Sequence, residues 1–67
     1  MEIIFNNQKE EISNSLSLKG LMQEKDLFEK TGIAVALNLK VQPRQTWEEL
    51  ILKENDSIIV IAATAGG

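Results

Sequence analysis

The sequence predicts an α+β fold in which one main helix lies against one face of a small sheet. Three observations predict it. Met1, Ile3 and Phe5 alternate with Glu2 and Ile4, the two-residue period of a strand with one buried face. Leu18, Leu21 and Met22 then fall at the i, i+3, i+4 spacing of an amphipathic helix. Near the C-terminus, Ile58-Ile59-Val60-Ile61 is a run of β-branched side chains, which fit a pleated sheet better than a helix.

Taken in order, the first strand ends at Asn6-Asn7-Gln8, residues that tolerate left-handed turn geometry, so Lys9 to Ile12 returns as a hairpin partner. Ser13-Asn14-Ser15 ends that partner. Ser17 stands where a helix cap belongs, and the helix is expected from about Leu18 to Glu29, with Phe28 continuing its apolar face two turns on from Leu21. Two residues sit awkwardly in it: Gly20 disfavours helix by about 1 kcal/mol relative to Ala, and Leu27 lies off the apolar face. Thr31-Gly32 supplies a stop, with Lys30 near the negative end of the helix dipole. Ile33 to Asn38 is apolar at nearly every position and reads as a strand inside the sheet. Asn38-Leu39-Lys40 turns the chain into a short strand at Val41-Gln42, which Pro43 keeps from being a central one. Thr46-Trp47-Glu48-Glu49 has capping-box spacing and is expected to open a helical or 3₁₀ turn, after which Leu50 and Leu52 fold back on the core. Lys53 to Asp56 turns into the last strand. The expected organisation is a single domain over residues 1–67, with 62–67 as an extended, flexible C-terminal tail.

Composition removes whole classes of function. The chain has no Cys and no His, so it lacks disulfides, thiolate nucleophiles, the usual zinc ligands and the side chain that titrates near neutral pH. Sixty-seven residues leave little room for an enclosed catalytic pocket, and no metal site is expected. The net charge is −3, with seven Lys and Arg scattered along the chain, which argues against nucleic acid. The N-terminus lacks the basic region of a signal peptide, and no segment approaches a membrane span. The cytoplasm is the expected location.

After Ile61 the side chains shrink to Ala62-Ala63-Thr64-Ala65-Gly66-Gly67, with no charge, ring or long aliphatic group. Two readings stand open for this end: a frayed terminus, or a tail thin enough at Ala65, Gly66 and Gly67 to enter a narrow channel. The reactive group it offers is the Gly67 carboxylate, ionised at neutral pH and a poor electrophile until an ATP-using partner activates it. The chain has no phosphate-cradling motif of its own, so a functional tail makes the protein a substrate or carrier and not an enzyme.

Alternation also assigns the faces of the sheet. Ile58 and Val60 join Met1, Ile3 and Phe5 under the helix, and Ile59, Ile61 and Ile4 fall on the open face. An open apolar face on a small domain marks a partner-binding surface. The competing readings are loops folded over these side chains, or the opposite facing.

The order of elements resembles the β-grasp, or ubiquitin-like, fold, a mixed sheet with one helix on one face. The motifs resemble the bacterial thiamine-pathway sulfur carriers of the ThiS family: a first strand ending in Asn6-Asn7, the helix start from Ser17-Leu18 to Leu21-Met22, Asn38, Pro43-Arg44 followed by Trp47, Asp56 opening the last strand, and terminal Gly66-Gly67. The chain departs from the family pattern at Leu39-Lys40 and Asn55, where glycine is common. The resemblance implies that an E1-like adenylating enzyme of the ThiF type activates the Gly67 carboxylate with ATP and Mg²⁺, the carrier itself binding no cofactor. Sulfur then comes from a cysteine-desulfurase-type donor as a persulfide, and the Gly67 thiocarboxylate serves a thiazole synthase of the ThiG type. Arg44 matches the family motif, which makes it a candidate partner contact; on residue chemistry alone Arg44 is expected to pair with a nearby carboxylate, and Trp47 to cap the core edge. Glu10-Glu11, Glu48-Glu49 and Glu54 read as solvated charges. Two alternatives remain at this stage, the small sulfur-carrier subunit of molybdopterin synthase and a ubiquitin-like modifier or interaction domain.

Overall fold

A computed structural model of the protein describes residues 1–62. Its elements are β1 (Glu2–Phe5), β2 (Gln8–Glu11), α1 (Leu18–Glu24), β3 (Ile33–Leu37), β4 (Lys40–Val41), a 3₁₀ turn (Arg44–Thr46) and β5 (Ser57–Ala62). The strands form one mixed sheet in the order β2-β1-β5-β3-β4. β5, last in the chain, is central: it pairs parallel with β1 and antiparallel with β3. This is the expected β-grasp arrangement. Ala62, assigned to the tail on sequence, is the last residue of β5; the remainder of the expected flexible tail, 63–67, lies outside the described residues.

Both hairpins turn on asparagine. Asn6 and Asn7 have φ of 49° and 70°, and Asn38 and Leu39 have 51° and 73°, so each turn has two consecutive left-handed residues. That geometry matches the twist of the flanking strands, which is why it joins them in two residues. β2 and β4 begin one residue earlier than alternation predicts because both turns are this tight.

The helix starts as expected and stops early. Ser17 is extended and its Oγ accepts the Gly20 N–H at 3.0 Å, satisfying one free donor of the first turn. A Cβ on Gly20 would lie 2.7 Å from Leu16 Cδ1, so this glycine makes room for the side chain packed beside the helix start. The helix ends at Glu24 and not at Glu29. Asp26 takes φ 60° and donates its N–H to Gln23, while the Leu27 N–H reaches back to the Met22 carbonyl at 2.8 Å. These two bonds are a Schellman ending, which turns the following apolar residue inward. Leu27, misplaced on a continued helix, thereby packs against the core, and so does Phe28.

The second helical turn also differs from expectation. Pro43, with φ −60°, starts it, and Thr46 closes it by donating both its N–H and its hydroxyl to the Pro43 carbonyl, at 2.9 and 2.7 Å. The Thr46 side chain is thus committed backwards and caps nothing ahead, so no capping box with Glu49 forms. Leu50 and Leu52 do return: the Leu18 N–H donates to Leu50 and the Leu52 N–H to Leu16, both at 2.8 Å.

The core lies between α1 and one face of the sheet. Ile3, Leu18, Leu21, Met22, Val35 and Ile58 are fully buried, with Trp47 and Leu52 nearly so, and Met1, Phe5, Leu37 and Val60 pack against them. Each such aliphatic side chain contributes about 1.5–3 kcal/mol by leaving water. Glu10, read as solvated, lies on the helix side and its carboxylate takes the Lys25 ammonium at 2.5 and 2.7 Å. No helix among the described residues is long and apolar enough to cross a membrane.

Candidate functional site

The central position of β5 decides what its two faces do. Ile58 is buried under α1 and Val60 packs against the same core, while Ile61 is 55% exposed on the opposite face. Register places the open-face residues in rows. Ile59 pairs with Ala36, which pairs with Val41; Ile61 pairs with Ala34; and Ile4 lies beside Ser57. Ile4 and Ile59 are half-buried. Because β3 contributes the small residues Ala34 and Ala36 here, the isoleucines and Val41 stand above a shallow floor. Lys9, paired with Ile4, and Glu11, paired with Glu2, put charge at the β2 margin. Val41, 65% exposed, was not among the sequence-predicted site residues; its place opposite Ala36 follows from a register that only the hairpin geometry sets.

The structure therefore brings Ile4, Ile59 and Ile61 together on one face. Arg44 is elsewhere. Its guanidinium donates to the carbonyls of Phe28 and Lys30, the latter at 2.8 Å, and stacks about 5 Å from the rings of Phe28 and Trp47. Among the described residues no carboxylate holds it, contrary to one expectation; two backbone carbonyls freed by the early end of α1 do. Trp47 is buried as expected, donating its indole N–H to the Gln42 carbonyl at 2.9 Å and meeting Phe28 edge to face. Gly67, Gly66 and Ala65 lie outside the described residues.

β5 is held at two points by asparagine side chains. Asn38 Oδ1 accepts the Ser57 N–H at 2.9 Å, and Asn38 Nδ2 donates to Asp56 at 3.0 Å. Asn6 Oδ1 accepts the Val60 N–H at 2.9 Å. A depression of about 230 Å³ on the helix side, lined by Gln23, Asp26, Phe28 and Glu29, opens to solvent and is lined by no hydroxyl, thiol or amine nucleophile. Among the described residues no cluster of His, Cys, Asp or Glu is arranged to hold a metal.

Comparison with known proteins identifies this arrangement. The ThiS family model matches residues 1–67, the whole chain. The chain belongs to the ThiS family. It is 30% identical to the sulfur carrier protein ThiS of Escherichia coli K12 over 67 residues, covering all of both chains. Its fold matches the crystal structure of the thiamine biosynthesis protein ThiS from Geobacter metallireducens with a TM-score of 0.86 over the full length of both, at 20% identity. As a ThiS-family member it is a small sulfur carrier protein and not a catalyst.

Proposed function

We propose that this ThiS-family chain carries sulfur as a thiocarboxylate on Gly67 for thiazole formation in thiamine biosynthesis. The observation that carries the proposal is the full-length family match of a chain whose last two residues are Gly66-Gly67 and whose central strand is its last described element. In this reading a carboxylate oxygen of Gly67 attacks the α-phosphorus of ATP on an E1-like, ThiF-type enzyme, and pyrophosphate leaves; Mg²⁺ and the phosphate contacts belong to that enzyme. The acyl adenylate now has a good leaving group. A persulfide on a cysteine-desulfurase-type donor attacks the acyl carbon and AMP departs. A second thiol then cleaves the acyl disulfide, releasing the thiocarboxylate that a ThiG-type thiazole synthase consumes. Persulfide and thiols must come from partners, because this chain has no Cys. All of this chemistry takes place in the cytoplasm.

The docking surface in this reading is the open face around Ile4, Ile59 and Ile61. Its support is that Ile59 and Ile61 of β5 share the face away from α1 with Ile4 of the neighbouring β1, Ile61 being 55% exposed. Arg44, exposed but on the helix side, would give a partner contact separate from that patch.

Intact-mass spectrometry tests the reading. Incubation with the activating enzyme, ATP and a persulfide donor is expected to raise the mass by one oxygen-to-sulfur exchange, and a chain lacking Gly67 is expected to fold normally and gain nothing. Mass gain without the sulfur reaching a thiazole synthase, but with delivery to the large molybdopterin synthase subunit, would move the protein to the other pathway.

A further inference from the structure

We propose that Asn6 is a positioning residue that sets the course of β5 toward Gly67. The inference rests on the carrier function proposed above and adds a residue on which it depends. β1 stops at Phe5, which pairs with Ile58, yet β5 runs on to Ala62. The Asn6 N–H closes the ladder by donating to the Ile58 carbonyl at 2.8 Å. The next group on that edge of β5 is the Val60 N–H, and no strand remains to receive it. Asn6 Oδ1 takes it instead, at 2.9 Å, from a left-handed turn position that aims the side chain back along the sheet. Beyond Val60 the described strand has β3 as its single backbone neighbour, through Ala34 with Ile61 and Ile33 with Ala62. The direction of the chain over 60–62 is thus held by one ladder and one side-chain bond.

Adenylation requires the Gly67 carboxylate at the α-phosphorus, and small errors of placement there reduce rate more than binding. Asn6 acts through a backbone N–H in the plane of the sheet, so its loss leaves the Ile59 and Ile61 side chains in place. The effect belongs in kcat, with KM preserved. Asn38 provides an internal control. It performs the same chemistry on Ser57, at the other end of β5, where a loosened strand start is far from the tail.

The experiment compares Asn6→Gly, Asn6→Asp and Asn38→Gly in ATP–pyrophosphate exchange with the activating enzyme, alongside amide hydrogen exchange at Val60. Glycine keeps the left-handed turn and removes the acceptor, and aspartate keeps both. Asn6→Gly is expected to speed Val60 exchange roughly 2- to 10-fold, the range of one neutral hydrogen bond. Its kcat is expected to fall by about threefold or more, with KM within about twofold of wild type. Asn6→Asp is expected to behave as wild type, and Asn38→Gly to lower the unfolding midpoint while sparing kcat. A synthetic chain with an ester in place of the Val60 amide removes the donor instead, and is expected to reproduce the kcat loss should Asn6→Gly fold poorly. Wild-type kcat in Asn6→Gly or the ester chain, an equal loss in Asn6→Asp, or an equal loss in Asn38→Gly would each overturn the role of Asn6 and leave the carrier function standing. A wild-type chain inert to the activating enzyme would sink the carrier reading and this inference together.

Discussion

Ile58 and Ile59 are adjacent, chemically identical and on the same central strand, yet they answer to different demands. Ile58 is fully buried against α1 and holds β5 in the fold. Ile59 faces away, over Ala36, in a row that ends at the exposed Val41. The difference teaches that β5 joins fold and function by alternation alone: one face anchors the strand, and the other is free to meet a partner. A carrier needs both, because a tail presented from a loose strand has no defined origin.

The largest effect expected from breaking this comparison is at Ile58. Ile58→Glu places an unpaired charge in the core and removes the side chain that α1 covers, and is expected to cost about 4 kcal/mol or more, enough to unfold most small domains. A denaturant midpoint measures it. Native-like stability in this variant would reverse the faces.

Those faces were legible in the sequence because a two-residue period admits two solutions, and the coincidence of Met1, Ile3 and Phe5 with Ile58 and Val60 selects one. The helix end was not, since the apolar spacing runs on through Phe28. What stops α1 is Asp26 accepting a left-handed conformation, a choice that only pays when Leu27 can turn into the core. The position of Leu27 off the helical face was the available clue. Thr46 misled for a related reason: its hydroxyl had two possible backbone partners, and the proline before the turn won it. Arg44 was legible as important and illegible in kind, because its acceptors are carbonyls 14 and 16 residues away that exist only once the helix has ended. The paired asparagines at 6 and 38 read as turn formers, and their second role on β5 depends on sheet order.

On the open face the expected loss moves from stability to binding. Ile61→Glu is expected to shift stability by no more than about 0.5 kcal/mol, as surface changes do, and to weaken the activating-enzyme complex by about 2 kcal/mol, the scale of a desolvated interface anchor. Isothermal titration of the variant and wild type checks both limbs against the denaturation data. Unchanged affinity would remove the open face from the docking surface.

Arg44 tests whether recognition extends round to the helix side. Arg44→Ala is expected to cost about 1 kcal/mol of stability, because charge-assisted bonds to two carbonyls and ring contacts are lost at an exposed site. Arg44→Lys is expected to recover little of it, since an ammonium cannot fork between the two carbonyls and stack on the rings. Affinity is expected to fall only if a partner reaches this side, and the same titration reads that directly.

The smallest expected effect lies at the tip of the β3–β4 hairpin. Leu39 has φ 73° and is 85% exposed, a branched apolar side chain in a conformation that its own Cβ opposes. The turn has two left-handed residues, for which Asn-Gly is the preferred pair, and Asn38 already supplies the first. Leu39→Gly relieves a penalty of about 1–2 kcal/mol in the folded state but gives back part of it through the greater freedom of glycine in the unfolded chain. The net expectation is a gain of about 0.5–1 kcal/mol, visible as a raised unfolding midpoint with the hairpin unchanged. Two residues along, Val41 stands on the open face beside the Ala36–Ile59 row, so this tip lies at the margin of the proposed docking surface. If the surface stops at Val41, Leu39→Gly binds the activating enzyme as wild type does and is simply more stable. A more stable variant that binds several-fold more weakly would put Leu39 inside the surface and explain why a strained leucine is kept at a position where glycine folds better.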